Sequence, residues 1–591
     1  MQYLLLMWLI NYVNNIMTIS YKEFDGFVKS KFPNFKYRSG QKEVVEDIIK
    51  SYNKDKNGVY LLDAPTGSGK SIIGILFASY MASRSKTGYI LTSDLSLHEQ
   101  YTRDILNFKF NNWGYIKGVD NYICSLNNEK FSLGECKNKG LSYKDSEKLN
   151  CYNQCGYFQS RKQAIEAPVS LLTYSYALIQ RNYVEDKSIN GSAFETRDFV
   201  ICDEAHRVVD IVQTHFSPKI SHKTHDNVLK LVLSLSDIGF KSILVNTELL
   251  KENIDSMIKT EDKSALLASL KRIMIVLGKA QSYRDEVQKK AKELFGDNLV
   301  SKEWSNVFKY FDYVKDVLCK IEDYITIVEE SGLHFMIKSM KDQEITFNCL
   351  DEKYLMKKHF LDRFGFKLMM TATMGSRSEF ENSIGVNKSF YKKMQSSFDY
   401  SKSPIYYYPN RRMGMKDIDK NISWLVKTVE KIMDAHPKES GVIHTGSYDL
   451  GRKLLFNLPK SKQRRIHVYR GTDEKIDVLS KFIATPGNIL IGPSLLEGLD
   501  LKDDKSRLQI FLKVPYPYIG DKYVSEKMKY SPGWYTWKTC TSILQGVGRS
   551  VRSESDWAIT YFLDGCLTDL ITRSDDNFPE EFIKRIIIKE D

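Results

Sequence analysis

Residues 61–71 read Leu-Leu-Asp-Ala-Pro-Thr-Gly-Ser-Gly-Lys-Ser, an apolar run that breaks into a glycine-rich turn and ends on Lys70-Ser71. This stretch constrains the fold more than any other. It predicts a buried strand, a P-loop and a helix whose N-terminus faces phosphate. Ala64, Pro65, Thr66, Gly67, Ser68 and Gly69 form the turn, whose backbone N–H groups can curl around phosphate oxygens. Lys70 is placed to reach the β- and γ-phosphates and Ser71 to hold Mg²⁺. Ala64 stands where the general pattern has its first glycine. The bland alternative is a glycine-rich turn that binds no nucleotide; the strand before it and the helix after it weigh against that.

Such a loop needs a parallel sheet around it, and the chain has the length for one. Its 591 residues, 42% hydrophobic, can bury several cores, so three or four domains of about 150 residues are expected. The charge balance, 86 basic minus 74 acidic residues, is +12, which permits a polyanionic partner without requiring one. Nine cysteines are too few for a secreted disulfide scaffold, and a reducing, intracellular compartment is expected. Residues 1–17 are apolar and uncharged but lack the basic start of a secretory signal. Asn11, Asn14 and Asn15 interrupt them too soon for a membrane span. A weakly structured extension upstream of a start at Met17 is expected, with a membrane anchor as the alternative.

Further motifs complete a nucleotide site. Gln41, in an aromatic-rich stretch upstream of the loop, can pair with both a donor and an acceptor on adenine; otherwise it is a solvated surface residue. Gly88 to Thr92 reads as a second strand, with a loop and helix start at its end. Phe199 to Cys202 is a third buried strand, running into Asp203-Glu204-Ala205-His206. Asp203 suits Mg²⁺ and Glu204 suits orienting and deprotonating water. One carboxylate pair after a strand is common; one following a P-loop by about 130 residues is specific.

Between these motifs lie Cys124, Cys136, Cys151 and Cys155. Only the last two are close, whereas zinc modules commonly show two tight pairs, so the spread favours an iron–sulfur cluster over zinc or free thiols. Lys117, Lys137, Lys139, Lys144 and Lys148 surround them, forming either a phosphate-contacting face or a solvated loop.

From about 207 to 345 the pattern is helical, without strand signals. Val228, Leu231, Val232 and Leu235 share one face, as do Leu266, Leu270, Ile273 and Leu277. Lys367 to Thr373 is again a strand, ending in Thr371-Ala372-Thr373. After a linker near 399–414, apolar runs at 441–444, 488–491 and 508–512 imply a second sheet. Glu497-Gly498-Leu499-Asp500 follows one of them. Gln545, Arg549 and Arg552 fall at i, i+4 and i+7, which on a helix directs two guanidiniums to one point, as a developing γ-phosphate charge needs. A surface-exposed basic helix is the alternative.

The set resembles superfamily 2 helicases, and within them the XPD/DinG iron–sulfur family. The order carries the resemblance: an A-x-T-G-x-G-K-S loop, four cysteines, D-E-A-H, a helical insertion, T-A-T and Q-x-x-G-R-x-x-R, over nearly all of residues 21–591. Lys117-Gly118, Asn121-Tyr122-x-Cys124 and Glu497-Gly498-x-Asp500 are further local matches. The chain departs from the pattern at Arg207, at Asp556-Trp557-Ala558 and at Leu563-Asp564-Gly565-Cys566. These departures bear on coupling to unwinding rather than on phosphate chemistry.

The resemblance implies an α/β fold: two RecA-like domains with an Fe–S domain and a helical arch inserted into the first. The expected boundaries are an extension over 1–20, the first RecA-like domain over 21–113, 161–206 and 346–400, the Fe–S domain over 114–160, the arch over 207–345 and the second RecA-like domain over 401–591. It also implies ATP and Mg²⁺ in the interdomain cleft, a structural [4Fe–4S] cluster on the four cysteines, and 5′→3′ unwinding of single-stranded and forked DNA in replication, repair or recombination. Both halves of the ATP site lie in one chain, so a monomer suffices, and no stable membrane association is expected. Two alternatives remain: a translocase stripping protein or RNA from DNA, and a DNA-binding Fe–S protein with a decayed ATPase. The six residues Lys70, Ser71, Asp203, Glu204, Arg549 and Arg552 argue against decay.

Overall fold

The computed structural model describes the chain except for residues 1–17, 109–112, 139–145, 185–192, 296–300, 397–398, 470–474, 494, 496–502, 549, 552–555, 575 and 591. In chain order its first strands are β1 (Val59–Asp63), β2 (Gly88–Thr92), β3 (Trp113–Tyr115), β4 (Val169–Thr173) and β5 (Phe199–Cys202). An insertion carrying β6 (Lys219–Ile220), β7 (Met336–Lys341) and β8 (Glu344–Cys349) follows, then β9 (Phe366–Thr371) and β10 (Phe390–Lys393). The first sheet has the order β10-β1-β9-β5-β2-β4-β3, and every neighbouring pair is parallel.

Burial on both faces explains why these strands read as unbroken apolar runs rather than alternations. Successive side chains enter different cores. Leu61, Leu91, Val200 and Met369 face one, while Tyr60, Leu62, Ile90, Ile201 and Met370 face the other. The helix Lys70–Ser83, apolar all round and buried from Ile73 to Met81, lies in the second of these.

A second sheet is built from β11 (Ile405–Tyr407), β12 (Gly441–His444), β13 (Ile466–Val468), β14 (Ile489–Gly492), β15 (Leu508–Phe511), β16 (Ile559–Phe562) and β17 (Ile586–Ile588). Its order is β13-β14-β12-β15-β16-β11-β17, again all parallel. The molecule is thus α/β with two RecA-like units.

The insertion between β5 and β9 is mostly helical, with Val208–Phe216, His222–Asp237, Thr247–Lys259, Lys263–Gln281, Arg284–Phe295 and Lys302–Ser331 in succession. Its apolar faces, including Val228, Leu231, Leu266, Leu270 and Ile273, continue the core on one side of the first sheet. The expectation of helices without strands is corrected here, because β6, β8 and β7 form an antiparallel three-stranded sheet at its base. The β7–β8 turn puts Asp342 and Gln343 at φ 49° and 63°, the mirror-image turn that hairpin twist favours. Along β8, alternate residues are buried, as a one-sided strand requires.

Candidate nucleotide site and cysteine cluster

Strand order brings the motifs together. β1, β9 and β5 are neighbours, with Asp63 opposite Thr371 and Cys202 opposite Met369. The P-loop after β1, T-A-T at the end of β9 and D-E-A-H after β5 therefore emerge side by side at the carboxyl ends of parallel strands, where open α/β sheets bind ligands.

The P-loop is held from outside. Gln41 is buried; its Oε1 accepts from Arg38 N at 2.9 Å and its Nε2 donates to Ser68 O at 2.9 Å. The Arg38 guanidinium donates to the Gly67 carbonyl. Gly69, at φ 80°, caps the helix that Lys70 and Ser71 begin, and a Cβ there would sit 2.4 Å from Gln41 Nε2. Ala64 is buried and Pro65 to Ser71 are half-buried. Lys70 Nζ lies 3.4 Å from Ala64 O, folded over the loop. Ser68 Oγ is buried with no hydrogen-bond partner among the described residues, a polar group that a bound phosphate would satisfy.

Across the strand ends, Asp203 is buried. Tyr101 Oη donates to its Oδ2 at 2.9 Å and Glu204 N donates to its Oδ1 at 2.9 Å. Burial, followed by the Glu204 charge, pushes its pKa up to about 6, and Lys70 opposes the shift. A buried carboxylate held by two neutral donors is one that a bound cation would keep ionised. Glu204 sits at φ 50°, a left-handed conformation costing a non-glycine residue of order 1–3 kcal/mol, which the surrounding packing must offset. Its Oε2 lies 3.4 Å from His206 Nδ1. The same nitrogen lies 2.9 Å from Thr371 Oγ1 and 3.3 Å from Thr373 Oγ1. Burial lowers the His206 pKa to about 3, so the ring is neutral.

The second RecA-like unit closes on the loop. Thr66 Oγ1 donates to Val551 O at 3.3 Å. Gln545 is half-buried on the helix Pro532–Val547. That helix stops at Val547, and Ser550 and Val551 are non-helical, so the expectation of one unbroken helix from Gln545 through i+7 is corrected. Arg549 and Arg552, like Glu497 to Asp500, lie outside the described residues.

The four cysteines lie in the connection from β3 to β4. Cys124, Cys136 and Cys155 are buried and Cys151 is half-buried. Cys155 precedes the helix Gly156–Glu166 as its cap residue. Burial pushes the Cys136 thiol up to about 12, and Cys155, Cys124 and Cys151 add to the rise, so the four sulfurs share one electrostatic neighbourhood. Among the described residues no group of three or more His, Cys, Asp or Glu side chains is drawn together as a ligand set for a metal ion. The donor chemistry fits a thiolate-bound cluster, since four cysteines in one connection are the soft donors such a cluster takes and a positive centre deprotonates its thiol ligands. Of the neighbouring lysines, Lys117 pairs with Glu99 at 2.9 Å, and Lys139 and Lys144 lie outside the described residues.

Two families match the chain: "Type III restriction enzyme, res subunit" over residues 34–232 and "Helicase C-terminal domain" over residues 429–582. It is 23% identical over 642 residues to a probable ATP-dependent helicase of Methanocaldococcus jannaschii, spanning 93% of this chain and 95% of that protein. It is 20% identical over 630 residues to the ATP-dependent DNA helicase YoaA of Escherichia coli, spanning 92% and 93%. S. tokodaii Xpd4 has the same fold, with a TM-score of 0.58 at 15% identity over 93% of this chain and 100% of that one. A second XPD helicase structure gives 0.59 at 14% over 94% and 100%. The chain is similar over nearly its whole length to ATP-dependent helicases and shares the fold of the XPD structures.

In this chain the P-loop, D-E-A-H and T-A-T segments meet at the carboxyl ends of neighbouring strands. Several residues that build the site carry no motif of their own. Tyr101 and Tyr174 position Asp203, the latter donating to its backbone oxygen at 3.0 Å. Tyr101 belongs to the buried His98, Tyr101 and Ile105 face of the helix Leu95–Asn107, a pattern that announces burial but not its partner. Arg207, one of the departures from the motif pattern, lies 3.6 Å from Asp94 just after β2. Asp564 accepts backbone N–H groups of Met413, Val514 and Cys566, so this departure sits at a structural clip. No helix among the described residues is long and apolar enough to cross a membrane.

Proposed function

We propose that this chain hydrolyses ATP to move 5′→3′ along single-stranded DNA and to unwind forked duplex, acting as a monomer. One observation carries the reading: Thr66 of the P-loop touches Val551, within the Gln545–Arg552 segment of the second unit, at 3.3 Å. In this reading a hydrolysis site straddles the boundary between the two units, so chemistry there can drive one unit against the other.

Each residue has a task in this reading. The P-loop from Ala64 to Gly69 and Lys70 bind the triphosphate. Ser71 and Asp203 hold Mg²⁺, which neutralises phosphate charge when bound. Glu204 orients and deprotonates water, while Arg549 and Arg552 meet the developing γ-phosphate charge and Gln545 supports them. Gln41 uses one lone pair and one N–H on Arg38 and Ser68, which leaves one of each for adenine. Cys124, Cys136, Cys151 and Cys155 would hold a [4Fe–4S] cluster that organises a small domain where the strands part.

The test is ATPase activity of the full chain with and without single-stranded DNA across a salt series. The reading expects stimulation by DNA and an apparent affinity that falls steeply with salt, as phosphate contacts release counterions. Salt-insensitive activity without stimulation contradicts it.

A further inference from the structure

The helix Pro532–Val547 belongs to two cores. Trp534 and Trp537 pack with the first sheet and its insertion, whereas Cys540, Ile543 and Val547 pack in the second sheet's core. It is gripped where it enters the first unit. Trp537, 3% exposed, donates its Nε1–H to Met374 O at 2.7 Å, directly after the T-A-T strand end. The indole lies against Gly375, whose φ is 65° and where a Cβ would come within 3.1 Å of the ring. Lys538, the next residue, pairs with Asp210 on the helix that follows D-E-A-H. Ser376 N also donates to Asn577 Oδ1 at 3.1 Å, so the turn is held by a second residue of the second unit.

These contacts continue into the hydrolysis site. Thr373, one residue before Met374, faces His206, and His206 faces Glu204. At the other end of the same helix, eight residues or about 12 Å along its axis, stands Gln545. A helix transmits displacement over that length with little loss, because its backbone hydrogen bonds and both packed faces resist bending.

We propose that Trp537 is a positioning residue: its hydrogen bond to Met374 O, seated on Gly375, sets the register between the T-A-T turn and the helix that carries Gln545 to the P-loop. This rests on the hydrolase reading above. Trp537 acts through other residues; it fixes where the helix end and Val551 stand against Thr66 of the P-loop. A contact serving only stability would change the melting temperature and leave turnover alone. A register contact changes kcat while the P-loop, built wholly within the first unit, keeps its ATP affinity.

The test uses the full chain with two variants that reach the contact from opposite sides. Trp537→Phe keeps the aromatic volume and removes the donor; Gly375→Ala leaves the indole and drives a methyl group into it. Hydrogen exchange of residues 371–376 without nucleotide, and kcat and KM for ATP with single-stranded DNA, are measured with the parent alongside. Both variants are expected to exchange faster through the turn and to lose about tenfold in kcat, with KM within about twofold of the parent. Unchanged exchange, unchanged kcat in both variants, or a loss of ATP affinity in place of turnover overturns the inference. An inactive parent would sink the hydrolase reading and this inference with it, whereas an active parent with unaltered variants sinks this inference alone.

Discussion

His206 Nδ1 lies 2.9 Å from Thr371 Oγ1, joining the D-E-A-H segment after β5 to the end of β9 through a neutral, buried ring. The contact ties Glu204, the carboxylate proposed to act on water, to the strand whose continuation meets the second unit. His206→Ala and Thr371→Val should each slow ATP turnover about tenfold, while the double variant is slowed little further, because residues in one network are not additive. Steady-state ATPase of the four proteins decides it; fully multiplicative losses contradict a shared network.

Binding and turnover should separate at the P-loop and the carboxylates. Lys70→Ala removes the cation proposed to face the β- and γ-phosphates and should reduce hydrolysis by at least about a hundredfold. Glu204→Gln should retain ATP binding and lose turnover to a similar extent, since Asp203 is untouched. Equilibrium binding of a fluorescent ATP analogue, beside the hydrolysis rate, tells the two apart. Near-parental hydrolysis in Lys70→Ala removes the site assignment.

The P-loop was legible because phosphate chemistry dictates its local sequence: glycine where the backbone must turn, then Lys70 and Ser71 at a helix start. The D-E-A-H and T-A-T strands were legible for a related reason, since burial on both faces leaves few residue types. What the sequence hid are contacts across long separations. Tyr101 and Asp203 are 102 positions apart, and nothing near Tyr101 marks it as a carboxylate's partner. The β7–β8 hairpin carries little sequence signal, because Asp342-Gln343 lacks the glycine that usually marks such a turn. The helix ends at Val547 with Gly548 as its cap, whereas periodicity alone extends it further. Gln41 was legible as a loop-proximal amide, but not its grip on Ser68.

The cysteine assignment has a direct chemical test. Anaerobically purified protein should be brown, with about four irons per chain, and Cys151→Ser should bleach it. ATP binding should survive that loss, since Lys70 and Asp203 lie on the sheet edge, whereas unwinding should fail with the small domain's organisation. Stoichiometric zinc without iron, or unwinding at the parental rate in Cys151→Ser, contradicts the assignment.

A buried histidine sets one pH dependence. His359 stacks on Phe216 with ring centroids 3.7 Å apart, and burial lowers its pKa to about 4. The unfolded side chain titrates near 6.5, so between about 6.5 and 4 the unfolded state binds a proton that the folded state refuses. Stability at this site is therefore full above that window and falls as pH drops through it, by about 2 kcal/mol at pH 5. Native-state hydrogen exchange of the helix Lys353–His359 at pH 7.5 and 5.0 should show the loss, and His359→Gln should reduce it. A pH-independent opening free energy in the parent contradicts the neutral buried state.

Strand displacement tests the central claim most directly. The full chain is given ATP and Mg²⁺ with forked, 5′-tailed and 3′-tailed DNA duplexes, alongside Lys70→Ala. The account predicts ATP-dependent displacement of the forked and 5′-tailed duplexes, little of the 3′-tailed one, and none with Lys70→Ala. Displacement without ATP, equal activity in Lys70→Ala, or a preference for the 3′ tail would contradict it.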